Sequence, residues 1–115
     1  MIRGEIRLVD FSVGRNGEAA GRRPAVIVSN DGANLTAARL GRGVITVVPI
    51  TSNLDRVHPF QVVLSAVDTG LSMDSKAQAE QVRSISVDRV SAKVGALPHP
   101  LMAELDDALR LHLAL

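Results

Sequence analysis

Hydrophobic positions along this chain fall into short blocks: GEIRLVDF (4–11), AVIVSN (25–30), VITVVPIT (44–51), FQVVLSA (60–66) and SAKVGAL (91–97). Each is bounded by Gly, Pro, Asn, Asp or Ser, and most are rich in β-branched residues, the pattern of strands between turns. In the first block Ile6 and Leu8 alternate with Arg7, Val9 and Phe11, a period of two. The blocks at 25–30 and 44–51 are apolar for most of their length and predict buried strands. Pro24 stands at the entrance of the first of these, where a strand proline is tolerated. SKAQAEQVRSISV (75–87) fits strand or helix; alternation of Ala79, Gln81 and Arg83 with Glu80, Val82 and Ser84 favours a strand over 79–86.

The segments between the blocks differ in kind. Ser12–Gly21 holds three glycines, an asparagine and two opposed charges, which reads as a mobile loop. It is long for so short a chain, and long loops in compact folds are usually functional or disordered. Residues 31–43 carry turn formers, with a short helical turn expected around Leu35–Leu40; 52–59 is a polar connection, 69–74 a turn, and 87–90 has no clear preference. Beyond Pro98 and Pro100, Leu101, Leu105, Ala108, Leu109 and His112 recur at helical spacing, so the chain closes on an amphipathic helix. His112 would then face the core or sit in the field of the helix C-terminus. With strands dominant and no βαβ alternation, the architecture predicted is mainly β: a strongly bent antiparallel sheet or small barrel closed by one helix. At 115 residues it fits a single domain, 1–115.

Composition narrows the chemistry. Phe11 and Phe60 are the only aromatics, too few for the stacking platforms of sheet-type RNA-recognition modules; nucleic-acid contacts would rest on arginine, hydroxyls and backbone. There is no cysteine, which removes disulfides, thiolate metal sites and a thiol nucleophile. No apolar run approaches the roughly 18 residues that span a bilayer, and the first residues lack an apolar targeting core, so a cytoplasmic protein is expected. Net charge is +1, unevenly spread: residues 1–42 hold seven Arg against four acids, 98–115 one Arg against three acids. A basic N-terminal third suits phosphate binding and equally a solvated surface.

No phosphate-cradling loop, nucleophile elbow, zinc-protease or dinucleotide motif occurs. Three polar clusters at strand ends remain: Glu18 with Arg22 and Arg23, then Thr51-Ser52-Asn53, then Gln81, Arg83 and Ser84. Each has an ordinary structural explanation, as surface charge, turn former or solvated sheet face. His58, His99 and His112 are scattered over connection, turn and helix and lack metal-ligand spacing.

In order and spacing, GEIRLVDF, GEAAGRRPAVIVSN, VITVVPITSN, HPFQVVLS and KAQAEQVRSI resemble the MazF/PemK-type toxins of bacterial toxin–antitoxin pairs over nearly the whole chain. The resemblance implies an SH3-like barrel with short helices, a homodimer carrying an RNA groove, and sequence-selective, metal-independent cleavage of single-stranded RNA. It assigns catalysis to Arg23 and Thr51, with the loop acid Glu18 beside them. Gln81 and Arg83 would face the substrate groove, and Arg22, Ser52, Asn53, His58 and Ser84 are further expected RNA contacts. Arg7 stands where many members carry an aromatic, which puts base preference in question. No cofactor is implied. A cognate antitoxin with an extended acidic segment is expected to compete with RNA for Arg22, Arg23 and Arg83. The rival reading is a toxin of the same barrel that poisons DNA gyrase by protein contact, since fold does not dictate activity.

The chemistry is feasible. RNA carries its own nucleophile in the 2′-hydroxyl, so a protein must align it, take its proton and stabilise the phosphoryl oxygens. Arg23 offers a planar, permanently charged fork for the phosphate. Thr51 suits donation or positioning, being a poor base. Glu18 suits proton removal, or only loop ordering through Arg15 or Arg22. Histidine is a common acid or base in catalysis, but His58 sits where a loop residue precedes a strand.

Overall fold

The structure, a computed structural model, describes residues 1–115. Seven antiparallel strands and three helices follow in the order β1 (Glu5–Asp10), β2 (Arg22–Ile27), α1 (Asp31–Leu40), β3 (Val44–Thr51), β4 (Gln61–Leu64), α2 (Ala66–Thr69), β5 (Ser75–Gln78), β6 (Arg83–Ser86), β7 (Val90–Ala96) and α3 (His99–Leu113). No helix is long and apolar enough to cross a membrane.

The sheet runs β4-β5-β3-β2-β1-β7, with β6 also paired to β3. One edge of β3 serves two partners in turn: Val44 to Val47 pair with β6, and Ile50 and Thr51 with β5. Pro49 lies in the gap between them. A proline inside a central strand would normally cost a ladder bond; here the exchange of partners leaves that position without one to make on this side. The same exchange bends the sheet. The mainly β, bent architecture is as the sequence predicts, but β4 and β7 remain unpaired with each other, so the barrel is not closed.

Both faces of the bent sheet are buried. Ile6, Val26, Val48, Ile50, Val62, Leu64, Leu105 and Ala108 form one core under α3. Val9, Phe11, Ala19, Ala25, Ile27, Ala37, Ile45, Val47 and Ile85 form a second, roofed by α1 and the 12–21 loop. Alternate residues of β2 and β3 serve opposite cores, which is why these strands read as continuous apolar runs.

Several local expectations are corrected. Residues 31–40 are a full helix rather than turns: Asn30 caps it by accepting from the Ala33 N–H at 2.9 Å, Gly41 closes it in the left-handed conformation, and Asp31 and Arg39 complement its dipole. The predicted strand 79–86 is a tight 3-10 turn, Ala79–Gln81, followed by β6, while β5 precedes it at 75–78. β2 begins at Arg22, three residues before the expected start. Of the two places expected for His112, the structure gives the second: it is exposed in the last turn of α3, in the field of the helix C-terminus, its ring 6.0 Å from that of Phe60. Arg7 is tied to Glu5 Oε1 and the Ser91 carbonyl.

The 12–21 segment is a folded loop. The Phe11 N–H donates to the Gly21 carbonyl, the Gly21 N–H to Ser12 and the Glu18 N–H to Arg15, at 2.9, 2.7 and 3.0 Å. A Cβ on Gly14 would lie 2.5 Å from the Glu18 carbonyl oxygen, so only glycine allows the loop to close on itself at that point.

Candidate active site

β2 and β3 pair from Ala25↔Pro49 to Ile27↔Val47. Continued two residues outward, that register sets Arg23 opposite Thr51, where the ladder has already ended at Pro24. Beyond the last pair, Ala25↔Pro49, a cleft of about 290 Å³ is lined by both strand ends. Ala20 and Arg22–Pro24 form one wall, Ile50–Ser52 another, and Leu71–Met73 with Ser75 the third.

Arg23 is half-buried in this cleft and, like the exposed Arg22, has no carboxylate partner; Arg22 reaches only the Ser91 hydroxyl at 3.3 Å. No acidic side chain lines the cleft, so its field is positive and suits an anion. The Thr51 Oγ1 accepts from the Asn53 N–H at 3.2 Å, leaving its own proton to donate. Ser52 adds a second hydroxyl, and Ser72 and Ser75 two more.

The other expected contacts lie elsewhere. Asn53 accepts from the Asp55 N–H and folds the 52–59 connection, whose Arg56 carbonyl is also held by the buried Lys76 ammonium. His58 is half-buried, stacks on Phe60 at 5.2 Å and donates its backbone N–H to Gln61 Oε1. Ser84 is exposed, its hydroxyl 3.5 Å from that of Thr46. Arg83 lays its guanidinium over the Phe11 ring, 5.6 Å from the centroid. Gln81 uses both ends of its amide on the loop: Oε1 accepts from the Ala19 N–H and Nε2 donates to the Gly17 carbonyl, each at 2.8 Å. Glu18, between those two residues, is exposed and forms no ion pair with Arg15 or Arg22.

The structure thus gathers Arg22, Arg23, Thr51 and Ser52 in one cleft and sets Glu18 two residues from its wall at Ala20. It adds Leu71–Met73, which the sequence offered only as a turn, and Ser75, the first residue of the segment that fitted strand or helix; no motif marks them, and they reach the cleft through the β3–β5 pairing. No three His, Asp or Glu side chains converge as a metal-binding group would require.

The model of PemK-like, MazF-like toxins of type II toxin–antitoxin systems matches residues 2–113. Over all 115 residues the chain is 59% identical to the endoribonuclease MazF9 of Mycobacterium tuberculosis, covering 98% of that protein. It is 32% identical over 114 residues to the endoribonuclease EndoA of Bacillus subtilis, covering 98% of this chain and 94% of the relative. The MazF crystal structure from Deinococcus radiodurans superposes with a TM-score of 0.79 at 25% identity, over 100% of this chain and 97% of that one. A mycobacterial endoribonuclease solved with its cognate antitoxin shares the fold at a TM-score of 0.78 and 23% identity, over 100% and 96%.

Proposed function

The chain belongs to the PemK-like, MazF-like toxin family of type II toxin–antitoxin systems, and from that premise we propose how it cuts RNA. It is an endoribonuclease; its substrate is single-stranded RNA, bound with the scissile phosphate in the cleft between β2 and β3. The observation that carries this reading is the placing of an unpaired Arg23 and the Thr51 hydroxyl on facing walls of one positive cleft.

Arg23 forks onto the phosphoryl oxygens, a charge-assisted contact that strengthens as negative charge builds in the transition state. Thr51 donates its free proton to a phosphoryl oxygen or fixes the ribose. The 2′ oxygen attacks phosphorus, its proton passes to the Glu18 carboxylate, and the bond to the 5′ oxygen breaks; that oxygen takes a proton from solvent water and leaves as a hydroxyl. A 2′,3′-cyclic phosphate and a 5′-hydroxyl result. Because the nucleophile belongs to the substrate, the step needs no metal-bound water. Arg22 and Ser52 hold flanking RNA, and the cutting inhibits translation. An acidic antitoxin segment competes for the same arginines, and a homodimer presents two such clefts along one groove.

The test is purified wild-type and Arg23→Ala protein with a long RNA in EDTA, with cut sites and end groups mapped. Sequence-specific cuts bearing cyclic phosphate, lost in the variant, are the expected result. Failure of the folded wild type to cut without a divalent cation overturns the mechanism; cutting by Arg23→Ala at the wild-type rate overturns the role of Arg23.

A further inference from the structure

We propose that Gln81 acts in the reaction as a positioning residue for Glu18, through the loop, rather than as a contact for RNA. The inference rests on the reading of Glu18 as the base and deepens it by naming what holds that base in place.

A carboxylate on a glycine-rich surface loop is ordinarily a poor general base, because a base must sit within hydrogen-bond reach of the proton it takes, and a loop free to wander seldom does. Here the two residues flanking Glu18 are pinned by one side chain. The Gln81 Oε1 receives the Ala19 N–H and its Nε2 reaches the Gly17 carbonyl, both at 2.8 Å. The amide therefore bridges the backbone on either side of Glu18 as a strand partner would. A primary amide matches this pair of backbone groups because it carries one acceptor and one donor side by side. With both ends engaged, little of it is left to read a base.

Three further features converge on the same three residues. Ala19 is buried in the second core, fixing the loop from below. Gly14 closes to a distance at which a Cβ would stand 2.5 Å from the Glu18 carbonyl, so the near arm of the loop braces the far arm. Gln81 itself sits in the rigid 3-10 turn between β5 and β6, and both those strands pair with β3, which carries Thr51. One short path of fixed backbone thus runs from the strand of Thr51, through Gln81, to the loop of Glu18. Glu18 lies two residues from Ala20 on the cleft wall, a Cα separation of at most about 7 Å by the reach of an extended chain. Its carboxylate has no ion-pair partner to hold it elsewhere.

The experiment is a double-mutant cycle on RNA cleavage, Gln81→Met against Glu18→Ala, with amide exchange measured at Ala19. Methionine keeps the length and bulk of the side chain and removes both hydrogen bonds. Expected are faster exchange of the Ala19 amide and a fall in kcat on the order of 10–100-fold, as displacement of a catalytic group by about 1 Å produces, with KM nearly unchanged. In the Glu18→Ala background, Gln81→Met should add no more than about twofold, since residues acting as a unit are not additive. A rise in KM at constant kcat, multiplied losses in the double variant, or unchanged exchange at Ala19 would each overturn the positioning role. Full activity in Glu18→Ala alone would instead remove Glu18 as the base, a separate failure that the single variant reveals without reference to Gln81.

Discussion

Two adjacent arginines on β2 illustrate how little residue type says without its surroundings. Arg22 is exposed and leans on Ser91, whereas Arg23 is half-buried with its charge unspent and turned to the cleft. Arg7, by contrast, is bound by Glu5 and the Ser91 carbonyl, so a charge in place of the family aromatic is used for structure. Glu5 is the most constrained acid. Burial pushes its carboxyl up, but the Ile2 N–H, the Arg7 guanidinium and the N-terminal ammonium outweigh burial and leave it below the ordinary value of 4.5. A depressed folded pKa contributes stability that is fully present above the unfolded value and is lost as pH falls through the folded one. The wild-type urea midpoint should therefore drop as pH falls through the ordinary glutamate value and on through the lowered folded one. Glu5→Gln, which strands Arg7 and Lys93 beside a neutral amide, should be less stable at neutral pH and show a smaller drop on acidification. An equal acid drop in both proteins would show that Glu5 is not its source.

At the scale of elements, the 12–21 loop departs furthest from its sequence. Glycines and opposed charges predict mobility, but Phe11 and Ala19 belong to the second core, and Gln81 fastens the tip. Its glycines permit close packing here as much as freedom. Gly14→Ala should therefore destabilise the protein by about 1–3 kcal/mol, as overpacking does, and lower cleavage by moving the residues beside Glu18. Urea denaturation and initial cleavage rates measure both, and a neutral effect on both would mean the loop has room to yield. α1 was hidden for a related reason. Gly32 and Asn34 are weak helix formers, but Asn34 is fully buried and bonded to Ser29, so a tertiary contact outweighs the propensity that argued for turns. The helical turn expected at Leu35–Leu40 is the C-terminal half of this helix, and Asn30 and Gly41 cap its two ends.

For the whole molecule, the decisive feature is a sheet buried on both faces. α3 covers one face through Leu105 and Ala108; the loop and α1 cover the other. Leu105 is fully buried, and Leu105→Ala should cost about 2–5 kcal/mol through lost burial and the cavity left behind. The variant that remains folded should cut RNA at the same sites, because Leu105 touches the core and not the cleft. A changed cut pattern would tie α3 to substrate selection.

The strand blocks and the closing helix were legible in the sequence because each is a local pattern of period and turn chemistry, and the RRP and PITSN motifs because each is a run of adjacent residues. Arg23, Thr51 and Glu18 could be singled out from these motifs through the family they resemble. Hidden were the exchange of β3 from β6 to β5 at Pro49, the third cleft wall at Leu71–Met73 and Ser75, and the hold of Gln81 on a loop more than sixty residues away. Each of these depends on which segments meet after the chain has folded, a matter of long-range register and packing. The sequence by itself determined the elements and the chemical groups available; only the tertiary structure decided which groups share a cleft, because a few unpaired backbone positions and buried side chains, with no local signature, settle where the strands part.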